Sequence, residues 1–130
     1  MKTVLITGAS RGIGAAIAER FSQGGYHTYI TCARDTEALY ALQTKLQEQY
    51  HVPCTAIPCD VSDAQAVEKL FTALPPLDVL INNASIAIDS LFCDKSCEEF
   101  KRTLDVNLVG TFMVSKYVGE VMCKNKNGKI

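Results

Sequence analysis

"TGASRGIG", Thr7 to Gly14, follows the apolar run "VLI" and leads into "AAIAERF". Thr3 to Ile6 is apolar and β-branched without alternation, which reads as a strand buried on both faces. From Gly12 the period lengthens: Ile13, Ile17 and Phe21 recur every fourth residue, and Gly24-Gly25 supplies a stop, so an amphipathic helix follows. Gly8, Gly12 and Gly14 all fall at the joint between the two elements. At such a joint a phosphate meets unpaired backbone N–H groups and the positive end of the helix dipole, provided that no side chain stands in its way. By analogy with the dinucleotide fingerprint, Gly8 permits the tight turn, Gly12 the close approach of backbone to ligand, and Gly14 the close packing of helix on strand. The spacing is G-x-x-x-G-x-G, a weak signal alone, and a strained turn without a ligand is the bland alternative. No Gly-Lys-Ser/Thr follows, which excludes a P-loop, while a methyltransferase-type module stays open at this point.

Outward from this joint the same alternation repeats. "HTYITC" (His27 to Cys32) reads as a second strand, and Asp35 can cap a helix whose Leu39, Leu42 and Leu46 form its inward stripe. "CTAIPC" (Cys54 to Cys59) reads as a third strand, and Ser62 to Gln65 has capping-box spacing for a helix ending near Ala73. "LPPLD" breaks the pattern before a fourth strand, Val79 to Ile81, which "NNASIAIDS" leaves as a loop. Ser96 and Glu99 make a second capping box for a long helix from Cys97 towards Lys124, with Leu104, Leu108 and Phe112 on its inward stripe. Strands alternating with helices imply right-handed crossovers and an α/β fold with a doubly wound parallel sheet and helices on both faces. No repeat or internal linker divides the 130 residues, so one domain is expected.

Composition narrows the function class. The chain is 48% hydrophobic and 21% charged, with a net charge of -1 made of interspersed signs, which predicts neither a nucleic-acid footprint nor a polybasic membrane patch. No apolar run approaches the roughly 20 residues of a membrane helix. The six cysteines are scattered through apolar segments without a CxxC pair, and Cys93 and Cys97 have no histidine nearby, so they read as cytosolic thiols in a cytoplasmic protein, not as disulfides or a metal site.

"TGASRGIG", "CDVSD" (Cys59 to Asp63), "NNAS" (Asn82 to Ser85) and "VNLVG" (Val106 to Gly110) come in an order and at separations that resemble the short-chain dehydrogenase/reductase family, and within it the 3-oxoacyl-(acyl-carrier-protein) reductase type. The resemblance covers the whole chain and implies a Rossmann-type domain of which residues 1–130 are the N-terminal, NAD(P)-binding part. It implies that Thr7, Gly8, Ser10, Arg11, Gly12, Ile13 and Gly14 hold the cofactor's diphosphate. Asp60 and Val61 would contact the adenine, Asn83 and Ala84 would line the nicotinamide ribose end of the cleft, and Asn82 would brace the sheet. Ser85 stands where the family usually has glycine. Asn107, polar in mid-helix, would hold, partly through a water, the proton relay behind the catalytic lysine, and the bend it puts in the helix serves that purpose.

Cofactor choice follows from charge. An acid after the second strand would bond the ribose 2'-hydroxyl of NAD, whereas an arginine accommodates the phosphate of NADP. Cys32 stands where that acid is expected, Arg34 follows, and Arg11 lies in the glycine turn. A guanidinium grips phosphate in bidentate fashion, which favours NADP(H) over NAD(H), with Asp35 as the counter-argument unless it is the helix cap. Family members also carry a serine after a fifth strand and a Tyr-x-x-x-Lys on the next helix, and neither pattern occurs here. The expectation is therefore a chain that stops after the helix following strand four, where strand five should begin, with strand four left as a sheet edge and no catalysis by this chain alone. The complete protein would be a homo-oligomeric oxidoreductase acting on a small carbonyl substrate or an acyl-carrier thioester. The alternative is a non-catalytic NADP(H)-binding or redox-sensing module.

Overall fold

A computed structural model describes residues 1–130, and its four short apolar runs form one parallel sheet. β1 (Thr3–Ile6), β2 (His27–Ile30), β3 (Cys54–Ala56) and β4 (Val79–Ile81) lie in the order β3-β2-β1-β4. Ile6 is in register with Ile30 on one side and Ile81 on the other, and Ile30 with Ala56. All four carboxyl ends therefore reach one edge, and the direction of winding reverses between β1 and β4, as in a Rossmann-type sheet. α1 (Gly12–Gln23), α2 (Thr36–Tyr50) and α3 (Ala64–Thr72) make the crossovers. After β4 come a 3₁₀ turn at Phe92–Asp94 and one long helical run: α4 (Cys97–Leu104), a π-helical turn (Asp105–Gly110) and α5 (Thr111–Asn125). No helix is long and apolar enough to cross a membrane.

The sheet separates two cores. Leu5, Tyr29 and Leu80 pack with Val67 and Leu70 of α3 and with Val106, Val114, Val118 and Met122. Val4, Ile6 and Ile30 pack on the other side with Ala18 of α1 and with Leu39 and Leu46 of α2. Val4, Leu5 and Ile6 of β1 thus go alternately to opposite cores, which is why all three are apolar. Burying a leucine such as Leu5, with no exposed surface, contributes about 2 kcal/mol.

Several helix details differ from the sequence reading. Ile13 is 74% exposed, and the fully buried line of α1 is Gly14, Ala18 and Ser22, with Ile17 and Phe21 packed beside it. The small side chains let α1 lie close on the sheet, so its apolar spacing marks the flank of the contact instead of its centre. α3 is capped by Asp63, whose carboxylate accepts from the Gln65 and Ala66 amides, and not by Ser62, which is turned to Asp60. β2 and β3 end at Ile30 and Ala56, short of Cys32 and Cys59. The residues beyond stay close: the Ile57 amide donates to the Ile30 carbonyl and the Cys59 amide to the Cys32 carbonyl, both at 2.9 Å. In the long helical run Leu104, Leu108 and Phe112 are exposed, and the buried line is Val106, Gly110, Val114, Val118 and Met122. Both lines are apolar at a spacing of four, and periodicity alone does not choose between them. The Ser96–Glu99 capping box and the Asp35 cap are both formed. β4 is not a bare edge, because Lys129 lies parallel to it, its carbonyl accepting from the Leu80 amide at 2.9 Å and its amide donating to the Asp78 carbonyl at 3.0 Å.

At the far side of the sheet His27 stacks on Tyr29, with Nε2 at 2.9 Å from Thr55 Oγ1 and Nδ1 at 3.3 Å from the Tyr29 hydroxyl. Burial holds its imidazole below the usual histidine range. The unfolded chain therefore takes up this proton first as pH falls below about 6.5, and stability declines from there until the folded-state pKa is passed. Urea unfolding at intervals between pH 7.5 and 5 should show this decline, and His27→Gln should flatten it. A histidine that gained charge on folding would give the opposite slope.

Candidate cofactor-binding site

The turns at the carboxyl ends of the strands lie side by side, and hydrogen bonds tie them together. Thr7, which follows β1 and has almost no exposed surface, accepts at its hydroxyl from the amides of Asn83 (3.1 Å) and Ala84 (3.0 Å). Asn83 returns the link, its amide nitrogen donating to the carbonyls of Thr7 (3.0 Å) and Gly8 (2.9 Å). The Ala9 amide donates to the Thr31 carbonyl at 2.8 Å, joining the glycine turn to the segment after β2. Asn82 donates to Ser115 Oγ at 2.9 Å and so ties the end of β4 to α5.

The three glycines have separable roles. Gly8 has φ +66, and a Cβ there would lie 2.7 Å from Ala84 Cα, so the turn and the loop after β4 can touch only without a side chain. A Cβ on Gly14 would lie 2.4 Å from the Gly8 carbonyl oxygen and 2.5 Å from Asn83 Nδ2. Gly12 has φ +58 with nothing within 4 Å of a Cβ, so its backbone faces open space.

The N-terminus of α1 is unlike those of α2, α3 and α4, each of which has a side-chain cap. It has neither a side-chain cap nor an acidic residue in its first turn. The amides of Ser10, Arg11, Gly12, Ile13 and Gly14 have no acceptor within the chain. Arg11 and Arg34 are exposed and form no ion pair, the two pairs present being Lys45–Glu19 and Arg102–Asp60. Asp35 Oδ1 accepts from the Ala38 amide at 3.0 Å, so that carboxylate is engaged as a helix cap. Cys32 is buried, and burial raises its thiol pKa against a weaker opposing effect of hydrogen bonds from the Arg34 backbone and Ser10. Open amides, a cradle that side chains would fill and free cations fit a dianionic phosphate ligand.

The turn after β3 supplies a carboxylate. Asp60 Oδ1 accepts from the Ser62 hydroxyl (2.6 Å) and amide (2.9 Å), and Oδ2 from Arg102 Nη2 (3.2 Å). Burial opposes its charge, but these hydrogen bonds outweigh it and hold the carboxyl below its usual range. Val61 packs on Gly110, where a Cβ would lie 2.6 Å from Val61 Cγ2, and its amide has no acceptor within the chain. Asn107 lies in the π-helical turn and is exposed. Its Oδ1 accepts from the Ile86 amide (2.8 Å) and its Nδ2 donates to the Ile86 carbonyl (2.9 Å), clamping the loop after β4. Widened helical turns of this kind recur at functional sites. Thr7, Gly8, Gly14, Asn83 and Ala84 are thus in mutual contact, and Arg11, Ser10, Gly12 and Ile13 belong to the same turn. Asp60 and Asn107 stand on neighbouring segments. Arg102 and Ser62 are site residues that the sequence does not mark as such: the Arg102–Asp60 link spans 42 residues and leaves no local signal, and Ser62, two residues from Asp60, reads in the sequence as a helix cap.

Comparison with known proteins agrees with this geometry. The family model described as short chain dehydrogenase matches residues 2–130. The chain is 32% identical over 133 residues to the 3-oxoacyl-[acyl-carrier-protein] reductase MabA of Mycobacterium bovis, an alignment covering 99% of this chain and 49% of that protein. Among solved structures, a short-chain dehydrogenase from Sphingobium yanoikuyae in complex with NADPH superposes with a TM-score of 0.90 at 33% identity, covering 98% of this chain and 51% of that one. An F189W actinorhodin polyketide ketoreductase with NADPH gives a TM-score of 0.91 at 31% identity, with 98% and 50% covered. The chain spans about half the length of the curated relatives it matches. With the family model matched over nearly every residue and its glycine turn, Asp60 turn and asparagine segments assembled at one sheet edge, the chain belongs to the short-chain dehydrogenase family.

Proposed function

We propose that this chain carries the cofactor-binding part of a cytoplasmic, NADP(H)-dependent oxidoreductase that transfers a hydride between nicotinamide and a carbonyl or alcohol. The observation that carries this reading is the uncapped N-terminus of α1, whose free amides face open space at Gly12, with Arg11 in the same turn and Arg34 in the segment after β2 both outside any ion pair. Thr7, Gly8, Ser10, Arg11, Gly12, Ile13 and Gly14 would hold the diphosphate, and Arg34 with Arg11 the 2'-phosphate. Asp60 and the Val61 amide offer an acceptor and a donor to the adenine edge, and Asn83 and Ala84 border the nicotinamide ribose. When bound, the nicotinamide supplies or takes the hydride. Asn107 is assigned to the proton relay, and its clamp on Ile86 keeps the loop after β4 beside it. That relatives are 3-oxoacyl-[acyl-carrier-protein] reductases favours a 3-oxoacyl thioester as substrate. The apolar outer line Leu104, Leu108 and Phe112 is the face on which the complete protein would self-associate.

The preference for NADP(H) over NAD(H) rests on the commitment of Asp35 to its helix, which leaves Arg34 without an acidic rival. Fluorescence titration should find NADPH bound at least about tenfold more tightly than NADH, and Arg34→Glu should remove most of that difference while leaving NADH nearly unchanged. Equal affinities would overturn the cofactor assignment, and absence of binding to either would overturn the function.

A further inference from the structure

Arg102 stands on α4, a helix with no buried residue, yet its guanidinium reaches the turn after β3. Nη1 donates to Ser62 Oγ at 2.6 Å and Nη2 to Asp60 Oδ2 at 3.2 Å, while Ser62 donates its hydroxyl and amide to Asp60 Oδ1. The three side chains close a ring that holds both oxygens of one carboxylate. We propose that Arg102 is the positioning residue of the adenine subsite, acting through Asp60 to fix the carboxylate beside the free Val61 amide. The inference rests on the NADP(H) reading above.

A carboxylate has about four lone-pair positions. Ser62 takes two on Oδ1 and Arg102 one on Oδ2, which leaves one acceptor position on the oxygen that Arg102 orients. That acceptor and the Val61 donor, on adjacent residues, complement a ligand edge with an amino group next to a ring nitrogen. Without the guanidinium the carboxylate is fixed at one oxygen only, and the remaining acceptor is free to swing away. The ion pair itself is about one-third exposed on each side, 37% and 34%, so it stabilises the fold little. Arg102 should therefore matter far more for binding than for stability.

The test uses this chain with Arg102→Met, Arg102→Lys, Asp60→Asn and the Arg102→Met/Asp60→Asn double variant, each titrated with NADPH and with deamino-NADPH, in which hypoxanthine replaces adenine. Arg102→Met should weaken NADPH binding roughly fivefold, leave deamino-NADPH binding unchanged, and melt within about 3 °C of the parent. Arg102→Lys should restore part of the NADPH affinity, and the double variant should bind no more weakly than Asp60→Asn. Unchanged NADPH affinity in Arg102→Met would overturn the inference. So would an equal loss for both nucleotides, a large fall in melting temperature in both Arg102 variants, or a double variant much weaker than Asp60→Asn. If the parent bound neither nucleotide, the function reading would fall and this inference with it; parental binding that Arg102→Met leaves intact sinks the inference alone.

Discussion

Gly14→Ala should destabilise the chain by about 3 kcal/mol and abolish measurable NADPH binding, although alanine is the better helix former by about 1 kcal/mol. The new methyl carbon would stand 2.4 Å from the Gly8 carbonyl oxygen and 2.9 Å from Ala9 Cα, and both are backbone atoms that no side-chain rotation can move. Either α1 lifts off the sheet or the glycine turn opens, and each disrupts the row of amides assigned to the diphosphate. Gly12→Ala is the informative contrast. There a methyl group meets nothing within 4 Å, so only the left-handed backbone at φ +58 resists it, at about 1 to 2 kcal/mol. Urea unfolding and NADPH titration of both variants should separate the two glycines. Both should lose nucleotide, and Gly14→Ala should lose the more stability. A Gly14→Ala chain as stable as its parent would mean that α1 does not sit as close to β1 as described.

The second large effect is expected at Thr7. Thr7→Val keeps the shape of a side chain with almost no exposed surface but removes the oxygen that accepts from the Asn83 and Ala84 amides. Two donors in a packed loop then lack an acceptor, at a total of about 2 to 4 kcal/mol. Thr7→Ser keeps the oxygen and should lose about 1 kcal/mol, the contribution of the methyl group. Amide hydrogen exchange gives the direct reading, with Asn83 and Ala84 losing protection in the valine variant and keeping it in the serine variant. Protection that survives Thr7→Val would show that the loop after β4 is held by Asn83 alone.

These two positions also show which parts of the molecule could be read from the chain. Buried parallel strands are continuous apolar runs, so β1 and β4 were legible to the residue, and the glycine spacing located the turn between β1 and α1. Asp35 and Ser96 were legible as caps because a cap is a local event. Ile13 misled, because the closest part of the α1 contact is made by glycine, alanine and serine, which carry no apolar signal. The helix after β4 misled for the opposite reason: two of its faces are apolar, and only the packed structure shows that Val106, Val114 and Val118 meet the sheet while Leu108 is 63% exposed. The glycine, Asp60 and asparagine motifs were visible as motifs, but the bonds that join them were not. Asn83 to Gly8 and Arg102 to Asp60 link residues 75 and 42 apart, and such bonds follow from the crossovers, not from any local pattern.

The π-helical turn at Asp105–Gly110 acts as a phase setting for everything after it. Each residue of an α-helix advances the side-chain direction by about 100°, and a widened turn accommodates an extra residue without that advance being passed on in full. Return of these six residues to regular α-helical bonding, with none removed, would leave α4 where it is and rotate α5 by about a quarter turn, a rotation that deleting one of them would largely cancel. Val114, Val118 and Met122 would leave the core together, and Ser115 would swing away from Asn82. The six residues of the widened turn around Asn107 therefore also decide which face of α5 the core receives.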